Sequence, residues 1–126
     1  MRRAVSAWGP AVLWAVVIFV ASAQPRVPLP KVGHWDKLSH FGAYAVLGLL
    51  LARGTAASAL NGWWAVALAA LYGATDEIHQ AFVPGRSPEL GDWIADVLGA
   101  AAGAFLYLYL RTGAGRWLPS GPFSER

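Results

Sequence analysis

At 126 residues the chain is one domain's worth of polypeptide, but 56% hydrophobic residues, 13% charged ones and a mean hydropathy of +0.43 exclude an ordinary soluble domain. The net charge of +3 comes from Arg and Lys scattered beside apolar runs, with no basic stripe for nucleic acid. No Cys is present, which removes a disulfide framework, a thiol nucleophile and a thiolate metal site together.

The first apolar run follows Arg2 and Arg3 and ends in Ala21-Ser22-Ala23. A cleavable signal peptide and a retained span are rival readings, and the retained one is adopted here. Val5 to Ala23 then makes a helix about 28 Å long at ~1.5 Å per residue, enough to cross a bilayer. Pro10 falls in its first turns, where a missing backbone donor costs least. Gln24 to Trp35 carries Pro25, Pro28, Pro30 and Gly33, a composition that prevents helix and predicts a short stiff loop.

A second span opens on the polar turn Asp36-Lys37-Leu38-Ser39-His40 and runs to Ala52. Asp36 suits a helix cap, and Asp36, His40 and Tyr44, four apart, share one face. Arg53 to Ala59 reads as a polar connection. Leu60 to Phe82 is the third span, and its last turns hold Asp76, Glu77, His79 and Gln80. Pro84-Gly85-Arg86-Ser87-Pro88 forces a turn, and Glu89 reads as a solvated loop charge. Asp92 to Leu110 is the fourth span. Its small residues from Gly99 to Ala104 predict close approach to neighbouring helices. The tail after Arg111 is polar, and the seven Trp and four Tyr suit anchoring at a membrane interface.

The expected architecture is all-α, an integral membrane four-helix bundle of one domain spanning residues 1–126, placed as a multi-pass protein of the cell membrane with the lipid bilayer as its first partner. An N-in, C-in orientation puts six basic residues inside, Arg2, Arg3, Arg53, Arg111, Arg116 and Arg126, against Arg26, Lys31, Lys37 and Arg86 outside. Whatever the sign, four antiparallel spans bring the start of the second, the end of the third and the start of the fourth to one side. An ionisable residue at membrane depth costs roughly 2.5–3.5 kcal/mol on insertion scales, so it usually has a partner or a function. Here several converge.

The residues admit three chemistries. Arg86 and Lys37 offer a clamp for an anionic group, with Asp36, Asp76, His79, Gln80, Asp92 and Asp96 as further ligand-binding candidates. Glu77 as general base and His40 as acid or base suit a hydrolase or transferase. No cofactor is required by the sequence, yet His40, His79, Glu77, Asp92 and Asp96 are donor types that admit a divalent metal. Buried acids and His also suit a proton or ion pathway. The bland alternative is a buried ion-pair network that sets helix register, an expensive device that is seldom net stabilising.

The pattern Asp36-Lys37 with His40 and Tyr44, then Asp76-Glu77-x-His79-Gln80-x-Phe82-x-Pro84-Gly85-Arg86, then Asp92-x-x-x-Asp96-x-x-Gly99, resembles the VanZ-like family, named for a protein associated with teicoplanin resistance. Some members resemble Asp-x-x-x-Asn at the last motif, whereas this chain has a second carboxylate in Asp96. The resemblance implies a small polytopic envelope protein linked to glycopeptide susceptibility. Its partners would be a lipid-linked cell-wall precursor or the glycopeptide, met at a site facing the extracytoplasmic side.

Overall fold

The structure of the protein, a computed structural model, describes residues 2–25 and 35–112. The expected loop through Pro28, Pro30 and Gly33 and the expected tail from residue 113 onward lie outside the described residues. Four helices make up the described chain, α1 (Arg2–Ser22), α2 (Trp35–Ala57), α3 (Trp63–Gln80) and α4 (Leu90–Thr112), with no strand among the described residues. Two of them, Arg2–Ser22 and Leu90–Arg111, are long and apolar enough to cross a membrane by themselves.

The helix boundaries differ from the expected spans for local reasons. Because α1 starts at Arg2 rather than Val5, Pro10 falls in its third turn rather than its second, and the Ser6 carbonyl loses its intrahelical donor. The expected connection from Arg53 is helical as far as Ala57. Its end is a Schellman turn: Leu60 N–H donates to Thr55 O at 2.8 Å and Ala59 N–H to Ala56 O at 3.2 Å. Ala59 takes the left-handed conformation this turn needs, with φ 56°, a position usually given to Gly. Asn61 Oδ1 then accepts the Trp63 N–H at 2.9 Å, which starts α3 three residues later than expected.

Consecutive helices run antiparallel, so α2 and α4 are parallel, and these two share the most extensive contact in the bundle. Glycine is what permits it. A Cβ on Gly99 would strike the carbonyl of Phe41, one on Gly103 the carbonyl of Ala45, and one on Gly48 the carbonyl of Ala100. Packing at this distance is backbone against backbone, as small residues allow. Around the seam the core is Ile18, Tyr44, Leu47, Ala69 and Ala100, with Ala52, Ala65 and Ala104 at the far end.

α1 and α3 are fastened to this pair by polar side chains that reach helix carbonyls. Trp14 Nε1 donates to Ala43 O at 2.8 Å, Trp93 Nε1 to Ala70 O at 2.9 Å, and the Tyr72 hydroxyl to Ala15 O. Trp8 Nε1 reaches Ser58 Oγ at 2.9 Å. Three of the seven Trp residues thus tie helices together, whereas Trp63 and Trp64 are exposed at the start of α3. The outward faces of all four helices carry large apolar side chains, among them Leu13, Phe19, Leu38, Val46, Leu71, Ile78, Leu98 and Leu110.

Gly103→Leu is expected to destabilise the fold by about 3 kcal/mol or more, at or beyond the upper end of ordinary overpacking because the obstacle is backbone. Gly42→Ala, where a Cβ meets nothing within 4 Å, is expected to be stabilising by up to about 1 kcal/mol. Thermal unfolding followed by circular dichroism reads both.

Candidate functional site

The described residues contain six of the chain's seven acidic groups, and all six lie at one end of the bundle. They are Asp36 on α2, Asp76 and Glu77 on α3, Glu89 just before α4, and Asp92 and Asp96 on α4. Helix direction explains this, since that end holds the start of α2, the end of α3 and the start of α4. Parallel packing of α2 and α4 then sets Lys37 opposite Asp92 and His40 opposite Asp96, one turn deeper.

The polar contacts form two levels. At the outer level Lys37 Nζ bridges Asp92 Oδ1 at 3.1 Å and Glu89 Oε2 at 3.2 Å. At the inner level His40 Nδ1 lies 2.8 Å from Asp96 Oδ1, with its Nε2 3.7 Å from Asp92 Oδ2. Asp96 is fully buried. Glu77 Oε2 accepts the Glu89 backbone N–H at 3.0 Å, which joins the end of α3 to the start of α4. Gln80 Nε2 donates to Asp76 Oδ2 at 3.4 Å one turn along the same helix. A cavity of about 270 Å³ opens beside this cluster, lined by Tyr44, Asp76, Gln80, Arg86 and His40 together with the apolar face of α1 around Trp14 and Ile18.

The turn before α4 is built for Arg86. Gly85 has φ 76° and Arg86 N–H donates to Val83 O at 3.1 Å, the geometry of a type II turn with Gly at its third position. Arg86 borders the cavity, and its Nε and Nη2 each donate at 3.1 Å, to Gln24 O and Ala21 O. Ala21 is in the last turn of α1, whose carbonyls have no intrahelical donor, and Gln24 lies two residues beyond it, so the guanidinium acts as a cap supplied from another element.

His79 is placed apart from His40. Its ring stacks on Phe19 with centroids 4.5 Å apart, and Nδ1 lies 3.4 Å from Ser22 Oγ, at the contact of α1 with α3. His40 borders the cavity and His79 does not. Asp36 stands at the rim, with a ligand atom within 4.8 Å of those of His40 and Asp92. Glu89 departs from its reading as a solvated charge: its carboxylate holds Lys37 and its backbone holds Glu77. Its place directly after Pro88 and before a helix was the available signal, since such a residue caps. Ser22 and Trp14 also line the cavity, and nothing in their apolar surroundings in the sequence marks them.

A family model described as VanZ/LLP1 matches residues 7–111. No curated protein and no solved structure matches the chain.

The buried His40–Asp96 pair carries a clear energetic expectation, because removing the imidazole leaves the buried Asp96 carboxyl without its partner. His40→Leu is expected to cost about 3–5 kcal/mol, and adding Asp96→Leu to it to recover part of that loss. Denaturant unfolding of both variants beside the wild type measures the recovery.

Proposed function

Because the chain belongs to the VanZ/LLP1 family, which it matches over residues 7–111, we propose that it is a four-span membrane protein of the bacterial envelope. Its polar end engages the headgroup of an envelope lipid or lipid-linked cell-wall intermediate. Three features support the membrane placement: the family, two helices able to span unaided, and large apolar side chains turned outward on all four helices. The six-to-four distribution of basic residues favours an N-in, C-in orientation, which sets the acidic end on the extracytoplasmic side.

The observation that carries the headgroup reading is the convergence of Asp76, Gln80, Tyr44 and His40 on one cavity beneath the outer rim. At about 270 Å³ the cavity is below the usual range for drug-sized ligands, roughly 300–1,000 Å³. A headgroup fragment fits, and an intact glycopeptide does not. An effect on glycopeptide susceptibility therefore runs through the lipid-linked target rather than through capture of the antibiotic. The expected anion clamp is modified by the geometry, since Lys37 bridges two carboxylates and Arg86 caps α1. The cavity's polar lining, Asp76 and Gln80 with the Tyr44 hydroxyl and His40, combines acceptors with donors, which suit the hydroxyl and amino groups of a sugar headgroup.

A second reading, a hydrolase or transferase acting on the same headgroup, is favoured by one observation. His40 Nδ1 meets Asp96 Oδ1 at 2.8 Å with a Glu77 carboxylate oxygen nearby, an arrangement suited to proton transfer.

In a glycopeptide-susceptible bacterium the wild-type chain is expected to raise the inhibitory concentration of teicoplanin, and Asp76→Asn at equal membrane abundance to abolish the rise. Native mass spectrometry of the gently solubilised wild type is expected to retain a lipid that Asp76→Asn loses. Equal inhibitory concentrations for wild type and empty vector, with no retained lipid, refute the reading. Release of a water-soluble headgroup from labelled lipid-linked precursor selects the enzyme.

The absence of native Cys makes the topology directly testable. Ser87→Cys is expected to react with a membrane-impermeant maleimide on intact cells, and Asn61→Cys only after permeabilisation; the reverse pattern inverts the orientation.

A further inference from the structure

Three carboxylates of the site are more than nine-tenths buried, Asp76 at 5% exposure, Glu77 at 8% and Asp96 at 0%. Each keeps one oxygen without a hydrogen-bond partner among the described residues, namely Asp76 Oδ1, Glu77 Oε1 and Asp96 Oδ2, and the buried Tyr44 hydroxyl is unpartnered as well. A buried carboxylate oxygen left bare forfeits its hydration with nothing in return. The cationic side chains nearest at hand are directed elsewhere, Lys37 to Asp92 and Glu89 and Arg86 to the end of α1.

One ligand atom from each of His40, Glu77 and Asp96 lies within 4.8 Å of the other two. The three residues come from α2, α3 and α4, so helix packing holds them together. Bonds of ~2.0–2.2 Å to a small divalent ion place its ligand atoms roughly 3–4 Å apart, and modest side-chain rotation closes the set. Glu77 is already oriented by the Glu89 N–H on Oε2, the kind of outer bond that fixes a metal ligand and leaves its other oxygen open.

We propose that His40, Glu77 and Asp96 bind a divalent cation, with water or a ligand oxygen in the remaining positions. One imidazole and two carboxylates without thiolate suit Mn²⁺ or Zn²⁺. The neighbouring set of Asp36, His40 and Asp92 shares His40, but its Asp92 is bridged to Lys37 and its Asp36 lies at the rim. The cation takes the lone pair of His40 and so replaces the acid–base assignment of that residue. It also reconciles an acceptor-rich site with a phosphate-bearing headgroup, because the ion supplies the positive charge that the phosphate oxygen meets. For that ligand the inference rests on the headgroup reading; for the ion itself it rests on the three side chains alone.

The test uses the full chain, purified in detergent, stripped with EDTA and titrated with MnCl₂ alone. Electron paramagnetic resonance is expected to show one Mn²⁺ per chain with ¹⁴N coupling from imidazole. Glu77→Gln and Asp96→Asn are each expected to weaken binding by at least 10- to 100-fold, and His79→Gln, at the contact of α1 with α3 and away from the three ligands, to leave both binding and the nitrogen coupling unchanged. Mn²⁺ is expected to raise the melting temperature of the wild type and not that of Asp96→Asn. No saturable binding by the wild type, bound Mn²⁺ without nitrogen coupling, or binding retained in both folded carboxylate variants overturns the site. Because the probe is the metal alone, its result is separate from the lipid measurement: retained lipid without Mn²⁺ binding removes the ion and keeps the headgroup, and the converse does the opposite.

Discussion

Backbone contact between α2 and α4 is the constraint on which the rest of the bundle depends. Gly48, Gly99 and Gly103 let the two helices approach until a single methyl would collide with a carbonyl. Contact this close locks the register, because a slide of one residue would turn a glycine out of the seam and an alanine or leucine into it. Register in turn pairs Lys37 with Asp92 and His40 with Asp96. The polar end is therefore a consequence of the apolar seam, built on the same two helix faces a few residues farther out.

Much of this was legible in the sequence. Four apolar runs separated by Pro and Gly clusters predict four helices, and strict alternation of direction predicts that Asp36, His40, Glu77, Asp92 and Asp96 share one end. The small residues from Gly99 to Ala104 announce the seam. What was not legible depends on geometry between helices. The outcome for Arg86 is an example: a guanidinium beside carboxylates reads as their partner or as a clamp, and only the fold reveals the carbonyls of Ala21 and Gln24 within its reach. Glu89 reads as a solvated loop charge because its backbone donor, which matters as much as its carboxylate, depends on where the end of α3 lies. The end of α2 lies at Ala57, beyond the expected Ala52, because Ala59 does what sequence patterns assign to Gly.

Two sorts of polar group coexist in the bundle, and they answer different needs. Trp14, Trp93 and Tyr72 donate to helix carbonyls that are already accepting, so they join elements without introducing charge. The carboxylates at the acidic end introduce charge in excess of the donors around them. A bundle that needed only fastening has the first device in hand, and the second is left as the mark of a site.

The fastening of Arg86 to the end of α1 reaches across 65 residues of chain. A ribosome delivers α1 long before the turn that completes it, and delivers Glu77 before the Glu89 backbone that orients it. Neither contact can form until the turn before α4 has been made, so the end of α1 and the orientation of Glu77 are both completed by residues that come late in the chain.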